Sequence, residues 1–152
     1  MDKWDKRYLR LAKEVSTWSK DPSTKVGAIA VMNGSVLAQG YNGFPKYIDD
    51  DEAKLNDRET KYKYTVHAEM NCIYNAAMNG CSLYGSTMYI YPLPACHECA
   101  KGIIQCGVER VVSPCFENEL TQKRWEKSCT TTFDMFEEAG IEYDLIKGFT
   151  SV

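Results

Sequence analysis

The sequence lacks any long apolar run, and it has no strong excess of charge of either sign. No segment approaches the roughly 18–20 consecutive apolar residues that a membrane-spanning helix needs, and the first six residues lack the apolar core of a signal peptide. The net charge of −3 comes from 18 Lys and Arg residues against 21 Asp and Glu residues. We therefore expect a cytoplasmic protein without a membrane partner.

Positive charge is concentrated in the first half of the chain. Residues 1–67 contain 12 basic and 10 acidic residues, whereas residues 68–152 contain 6 basic and 11 acidic residues. Binding of long nucleic acids usually requires an evident basic surface, which this distribution does not predict. A small anionic ligand needs only a few donors, and we expect the first half to supply them.

The length of the chain favours a single domain, and its cysteine content favours reduced thiols over disulfides. A chain of 152 residues, 44% of them hydrophobic, can form a core without disulfide crosslinks, so we predict a single domain over residues 1–152. Without a secretion signal, reduced thiols and metal ligands explain seven cysteines better than a disulfide framework does. These cysteines are Cys72, Cys81, Cys96, Cys99, Cys106, Cys115 and Cys129.

The spacing of apolar residues predicts helices that alternate with short strands. The predicted helices cover residues 3–18, 68–79, 95–105 and 121–139. The predicted strands cover residues 26–31, 35–41, 87–90, 108–112 and 142–145. Asn33-Gly34 predicts a hairpin between the first two strands. This alternation is typical of an α/β protein whose sheet is covered on both faces.

The polar segment at residues 46–63 is the least regular part of the sequence. Two interpretations fit it: a flap over a binding site and a solvated surface loop.

Two short motifs predict a metal centre. They are His67-Ala68-Glu69 and Pro94-Ala95-Cys96-His97-Glu98-Cys99. Cys96 and Cys99 are three residues apart and share one helix face, so both sulfurs can reach one ion. Together with His67 they supply three zinc ligands, which leaves the fourth tetrahedral position for a water molecule. Glu69 stays uncoordinated and can act as general acid and base in a hydrolytic reaction.

Other interpretations of these motifs remain open. A closed structural zinc site would need a fourth ligand such as His97, Cys72 or Cys106. A further alternative is a structural cysteine pair without a metal. Cys106 lies about 10 Å from Cys99 along a regular helix, which is too far for a shared ion. His97 is adjacent to Cys96 and points to a different helix face.

The chain resembles the deoxycytidylate (dCMP) deaminase family within the cytidine deaminase superfamily. The stretches that carry the resemblance are residues 19–28, 40–45, 61–71 and 96–105, in the expected order. Two departures are Ala95, which separates Pro94 from Cys96, and Cys72, where alanine is usual. The resemblance implies a three-layer α-β-α fold with a central five-stranded mixed sheet, and Zn²⁺ on His67, Cys96 and Cys99.

The resemblance also implies substrate contacts. Asn42, in a loop with Gly43, would hold the sugar or phosphate side of a nucleotide, and the Ala68 backbone would meet the pyrimidine edge. Further candidates for phosphate or lid contacts are Ser23, Thr24, Lys25 and the Lys61–Tyr64 stretch, Tyr64 in particular.

The activity implied by the resemblance is hydrolysis of dCMP to dUMP and ammonia, which supplies thymidylate synthesis. Family members form dimers or hexamers, and many respond to dCTP as activator and dTTP as inhibitor. Two alternatives stay open. One is deamination of another amino-heterocycle, such as a modified dCMP, cytidine, guanine or tRNA adenosine, and the other is a nucleotide-binding regulator with a structural zinc.

Overall fold

A computed structural model describes residues 2–116 and 118–149 of the chain. Its helices are α1 (Lys3–Ser16), α2 (Glu52–Asn56), α3 (Arg58–Tyr64), α4 (Ala68–Met78), α5 (His97–Gln105) and α6 (Glu119–Ala139). Its strands are β1 (Gly27–Met32), β2 (Ser35–Tyr41), β3 (Thr87–Tyr91), β4 (Arg110–Pro114) and β5 (Glu142–Ile146). In the described part of the chain, no helix is both long and apolar enough to cross a membrane.

The five strands form one mixed sheet in the order β2-β1-β3-β4-β5. β1 runs antiparallel to both β2 and β3, whereas β3, β4 and β5 are parallel to one another. The predicted hairpin is confirmed, because Asn33 and Gly34 both have positive φ, at 52° and 75°. These are the backbone angles that a two-residue type I′ turn requires.

The sheet is covered by helices on both faces, which confirms the predicted three-layer α/β fold. Successive residues of β1 point to opposite faces. Ile29 and Val31 pack with α1, whereas Ala28 and Ala30 join the larger core that includes residues from α4, α5 and α6. Because both faces of β1 are covered, its five residues from Gly27 to Val31 are buried, as its continuous apolar sequence predicts.

Helix α4 lies unusually close to strand β2. A Cβ atom placed on Gly40 would be 2.3 Å from the backbone nitrogen of Cys72 and 2.6 Å from the carbonyl oxygen of Ala68. Only glycine leaves room for this approach. Asn71 and Asn75 strengthen the contact, since their side-chain amides donate to the carbonyl oxygens of Tyr41 and Gln39.

The segment at residues 46–63 is more regular than its sequence indicates, because it contains α2 and most of α3. Neither helix has the regular spacing of apolar residues from which a helix is predicted. Asp51 caps α2 by accepting a hydrogen bond from the backbone nitrogen of Lys54 at 2.9 Å. Lys61 is the buried residue of α3, and it forms an ion pair with Asp21 at 3.2 Å.

A buried carboxylate joins α1 to the sheet. Asp5, only 3% exposed, accepts hydrogen bonds from Arg110 at 2.9 and 3.0 Å and from the Tyr89 hydroxyl at 2.8 Å. Arg110 also donates to Asp144 at 2.7 Å. Burial would raise the pKa of Asp5, but the hydrogen bonds from Arg110 and Tyr89 lower it below its ordinary value of 3.8.

Replacement of Asp5 by asparagine should therefore lower the free energy of unfolding by about 1.5–3 kcal/mol at pH 7. A carboxylate with a lowered pKa stabilises the fold above its unfolded pKa, and this contribution is lost as the pH falls through the folded pKa. Urea titrations should thus show a smaller difference between the proteins in acid than at pH 7. Asp144→Asn is the matched control, since that side chain is 40% exposed and should cost less than about 1 kcal/mol. A difference that grew on acidification would contradict the assignment.

Candidate active site

The amino-terminal ends of α4 and α5 meet at one point. His67 is the N-cap residue of α4 and Cys96 is the N-cap residue of α5, and neither side chain caps its own helix. Both side chains are instead directed to a shared cluster. The Nδ1 atom of His67 lies 3.3 Å from the Cys99 sulfur and 3.4 Å from the Cys96 sulfur.

These three side chains fit a zinc ion. Their ligand atoms lie within 4.8 Å of one another, and they are the one group of three or more potential ligands found among residues 2–116 and 118–149. Bonds of about 2.3 Å to sulfur and about 2.0 Å to nitrogen place tetrahedral ligand atoms roughly 3.5–3.8 Å apart, which is close to the separations here. One imidazole with two thiolates is a donor set that zinc prefers.

Hydrogen bonds within the cluster separate the pKa values of its members. The hydrogen bond from Cys99, with a second one from His67, lowers the pKa of Cys96 to about 4. The hydrogen bond to Cys96 raises the pKa of His67 to about 9, although burial opposes this change. The same bond to Cys96, together with burial, raises the pKa of Cys99. A cation bound here would favour the deprotonated form of all three side chains, so its binding should release protons.

Glu69 lies beside the cluster in the first turn of α4 and is only 4% exposed. Burial raises the pKa of its carboxyl group, and the charge of His67 partly opposes that effect. It does not belong to the group of potential metal ligands. A buried carboxyl group next to a metal site but outside it can accept and donate protons.

The cluster opens into a cavity of about 110 Å³. This volume is several times the roughly 30 Å³ that a water molecule occupies in the liquid, so the cavity can admit part of a larger ligand. Its wall combines His67 and Cys96 of the cluster with polar and apolar side chains from other parts of the chain. The lining residues are Asp21, Ser23, Thr24, Val26, Asn42, Lys61, Tyr62, Thr65, His67, Ala68, Glu69, Leu93, Pro94, Cys96, Arg124 and Trp125.

Four of the seven individually named candidate substrate contacts line this cavity, namely Ser23, Thr24, Asn42 and Ala68, and so do Lys61 and Tyr62 of the Lys61–Tyr64 stretch. Asn42 is 7% exposed, and its side chain bridges two backbone groups of the segment from Thr24 to Val26. Its Oδ1 atom accepts from the backbone nitrogen of Val26, and its Nδ2 atom donates to the carbonyl oxygen of Thr24, both at 2.8 Å. Asn42 therefore shapes the wall as well as facing the cavity.

The other three candidates lie outside the lining of this cavity. The Gly43 backbone forms an antiparallel bridge with Val66. Lys25 lines a separate groove beside α2. Tyr64, 42% exposed, packs its ring 5.5 Å from that of Phe44. Packing of the loop against the neighbouring segment thus turns these residues away from the metal cluster.

The structure adds Arg124 and Trp125 of α6 to the cavity wall. They lie more than 20 residues beyond the cysteine motif, and the sequence offers only a basic residue next to an aromatic one in an acidic half of the chain. Nothing in that pair fixes which way α6 faces. Packing of α6 against α5 brings the two residues to the cavity.

The other residues considered as metal ligands lie outside the cluster. His97 Nδ1 is 2.8 Å from the Ser128 hydroxyl, and the Cys106 thiol donates to the carbonyl oxygen of Ile103 at the end of α5. Cys72, in α4, is fully buried in the core. In the described residues, the group of potential ligands thus consists of three side chains, and two of them, His67 and Cys96, line the cavity.

A three-layer α/β fold with a His, Cys, Cys cluster and an adjacent buried glutamate defines a metal-dependent deaminase. Comparison with known proteins gives the family. Residues 2–115 match the cytidine and deoxycytidylate deaminase zinc-binding region, and the chain belongs to that family.

Individual relatives agree with this assignment. A protein of Aliivibrio fischeri named as an uncharacterized deaminase in the luxG 3′ region is 38% identical over 142 residues, covering 93% of this chain and 92% of its own. A probable deoxycytidylate deaminase of Caenorhabditis elegans is 35% identical over 144 residues, covering 92% and 68%. The crystal structure of dCMP deaminase from the cyanophage S-TIM5, in complex with dCMP and dUMP, superposes with a TM-score of 0.73 at 29% identity, covering 96% and 99%.

Proposed function

We propose that this protein is a zinc-dependent deaminase that hydrolyses dCMP to dUMP and ammonia and so supplies thymidylate synthesis. The observation that carries the proposal is the cluster of His67, Cys96 and Cys99 beside the buried Glu69, at the wall of a cavity. The cyanophage relative, whose structure contains dCMP and dUMP, supports the choice of substrate.

The zinc ion would be held by His67 Nδ1 and by the sulfurs of Cys96 and Cys99. When bound there, zinc lowers the pKa of a coordinated water molecule towards neutrality and so provides a nucleophile at physiological pH. Because these side chains come from two helix N-termini, the positive ends of two helix dipoles also favour the thiolate form of the cysteines.

Glu69 would carry the protons of the reaction. Its carboxylate takes a proton from the attacking water as oxygen bonds to C4 of the cytosine, and it passes that proton to the ring nitrogen N3. It would then take the remaining proton from the C4 hydroxyl group and deliver it to the 4-amino group, which leaves as ammonia as the C4–N bond breaks and the C4=O double bond forms. Burial of Glu69 raises its pKa and thereby makes the protonated state accessible.

Substrate contacts are proposed only for candidates that line the cavity. The backbone nitrogen of Ala68, the first residue of α4, is one of the amides without a partner in its own helix, and it suits an acceptor on the pyrimidine edge. Asn42 retains one amide hydrogen and one oxygen lone pair beyond its two backbone bonds, and these suit the sugar. Ser23 and Thr24 add hydroxyl groups on the same wall.

The family resemblance also supports a homodimer or hexamer that responds to dCTP and dTTP. Assays with these two nucleotides, and sedimentation of the protein with and without them, test that part of the proposal.

Ammonia release by the zinc-loaded protein tests the activity directly. We expect dCMP to be preferred over cytidine by at least about 100-fold, because a phosphate bound by charged groups contributes several kcal/mol. Adenosine and guanine should give no measurable ammonia, and removal of zinc by a chelator should abolish the reaction. A preference for cytidine would favour the second deaminase interpretation. Nucleotide binding without ammonia release would favour a regulator with a structural zinc.

A further inference from the structure

Two arginines from different helices meet on one phenol at the cavity. Arg58, the first residue of α3, donates to the Tyr62 hydroxyl from Nε at 3.1 Å and from Nη2 at 2.9 Å. Arg124, in the second turn of α6, donates to the same oxygen from Nη2 at 2.7 Å. The Tyr62 hydroxyl therefore joins α3 to α6.

This arrangement supplies more donors than the phenol can accept. Three N–H groups converge on a hydroxyl oxygen that has only two lone pairs. Guanidinium groups bind best to carboxylates and phosphates, because these anions offer several acceptor oxygens to the parallel N–H donors of the planar guanidinium. The two arginines are thus positioned to bind a group that has more acceptor oxygens than the single hydroxyl they contact.

No carboxylate of residues 2–116 and 118–149 neutralises the positive charge of this pair. Neither Arg58 nor Arg124 forms an ion pair with a carboxylate in the part of the chain that the structure describes. By contrast, Lys61 on the same cavity wall is paired with Asp21 at 3.2 Å. Arg124 lines the cavity itself, and Arg58 lies behind Tyr62.

The charges of Arg58 and Arg124 change the pKa of the Tyr62 hydroxyl. Burial alone would raise the pKa of Tyr62, but the hydrogen bond from Arg58 and the charges of both arginines lower it below its ordinary value. A group that carries no charge at neutral pH thus occupies a position that favours an anion.

We propose that Arg124, assisted by Arg58, receives the 5′-phosphate of the substrate and determines the preference for a nucleotide over a nucleoside. Tyr62 holds the two guanidinium groups in place until the phosphate binds. A phosphomonoester carries between about −1.5 and −2 charges at pH 7, which matches two guanidinium groups. This inference rests on the proposed function, because it assumes that the cavity binds a phosphorylated pyrimidine.

The test is the selectivity of Arg124→Gln, with Lys127→Gln as the matched control. Both substitutions remove one positive charge from an exposed residue of α6, but Lys127 does not line the cavity. For Arg124→Gln we expect kcat/KM for dCMP to fall by about 10- to 100-fold, while kcat/KM for deoxycytidine stays unchanged. Lys127→Gln should leave both values within about twofold of wild type. Arg58→Gln should give a smaller loss with the same selectivity.

Equilibrium binding separates this inference from the proposed function. By calorimetry, Arg124→Gln should weaken binding of dUMP by about 10- to 100-fold and leave binding of deoxyuridine unchanged. If wild type released no ammonia from any substrate, the proposed function would fail, while this difference in dUMP binding would still support the phosphate receptor.

Two outcomes would overturn the inference. One is an equal loss of kcat/KM for dCMP and deoxycytidine, which would mean that Arg124 only supports the fold of the cavity wall. The other is an altered response to added dCTP with unchanged kcat/KM for dCMP, which would assign the arginine pair to an effector.

Discussion

Replacing Glu69 with glutamine should lower kcat for dCMP by about 10²- to 10⁴-fold and leave one zinc ion bound per chain. Glutamine has nearly the same shape as glutamate, so it fits the buried position, but it cannot take a proton from water. His67, Cys96 and Cys99 keep their positions at the ends of α4 and α5, and metal affinity should therefore persist. Ammonia release and metal analysis of the same sample measure the two effects.

Glu98→Gln is the matched control for this substitution. Glu98 lies in the first turn of α5, next to Cys99, but it is exposed and pairs with Lys101 at 2.9 Å. The same chemical change there should leave kcat within about twofold of wild type. Turnover retained by Glu69→Gln would contradict the role of this carboxylate, and loss of zinc from that variant would make Glu69 a structural residue of the metal centre.

Replacing Gly40 with alanine should lower the free energy of unfolding by about 3 kcal/mol or more, at the upper end of what overpacked cores cost. The added methyl group would lie 2.3 Å from the Cys72 nitrogen and 2.6 Å from the Ala68 oxygen, both of them backbone atoms of α4. Helix α4 must then move away from β2. Because His67 and Glu69 are at the beginning of α4, turnover should fall together with stability.

Gly43→Ala tests whether this effect comes from the close approach of helix and strand. Gly43 follows the same strand, and a Cβ atom there would meet its nearest neighbour, a ring atom of Tyr41, at an ordinary 3.8 Å. Its stability should stay within about 0.5 kcal/mol of wild type in chemical denaturation. A Gly40→Ala protein as stable as Gly43→Ala would show that α4 can adjust without loss.

The parts of the fold that the sequence predicts are those set by local patterns. The continuous apolar segment of β1 indicates a strand buried on both faces, and Asn33-Gly34 indicates its turn, because each depends on neighbouring residues alone. The metal cluster is predicted for the same reason, since the spacing of Cys96 and Cys99 is a local property of one helix turn.

Features that depend on contacts between residues far apart in the chain cannot be predicted from the sequence pattern. Helix α3 has no regular apolar face, and its buried residue is a lysine whose partner, Asp21, lies 40 positions away. Arg124 reaches the cavity only through the packing of α6. The family resemblance makes Tyr64 a candidate for a phosphate or lid contact, but its ring packs on Phe44 and it does not line the cavity. A resemblance in sequence does not fix the direction of a side chain.

The two backbone hydrogen bonds of Asn42 have a consequence for the thermodynamics of ligand binding. They fix the segment from Thr24 to Val26 before any ligand arrives, and the Ser19 hydroxyl holds Asn42 itself by donating to its carbonyl oxygen at 2.8 Å. A wall that is already rigid loses little conformational entropy when a nucleotide binds. The segment that Asn42 holds therefore takes little ordering when a ligand binds, and this part of the cavity is preorganised.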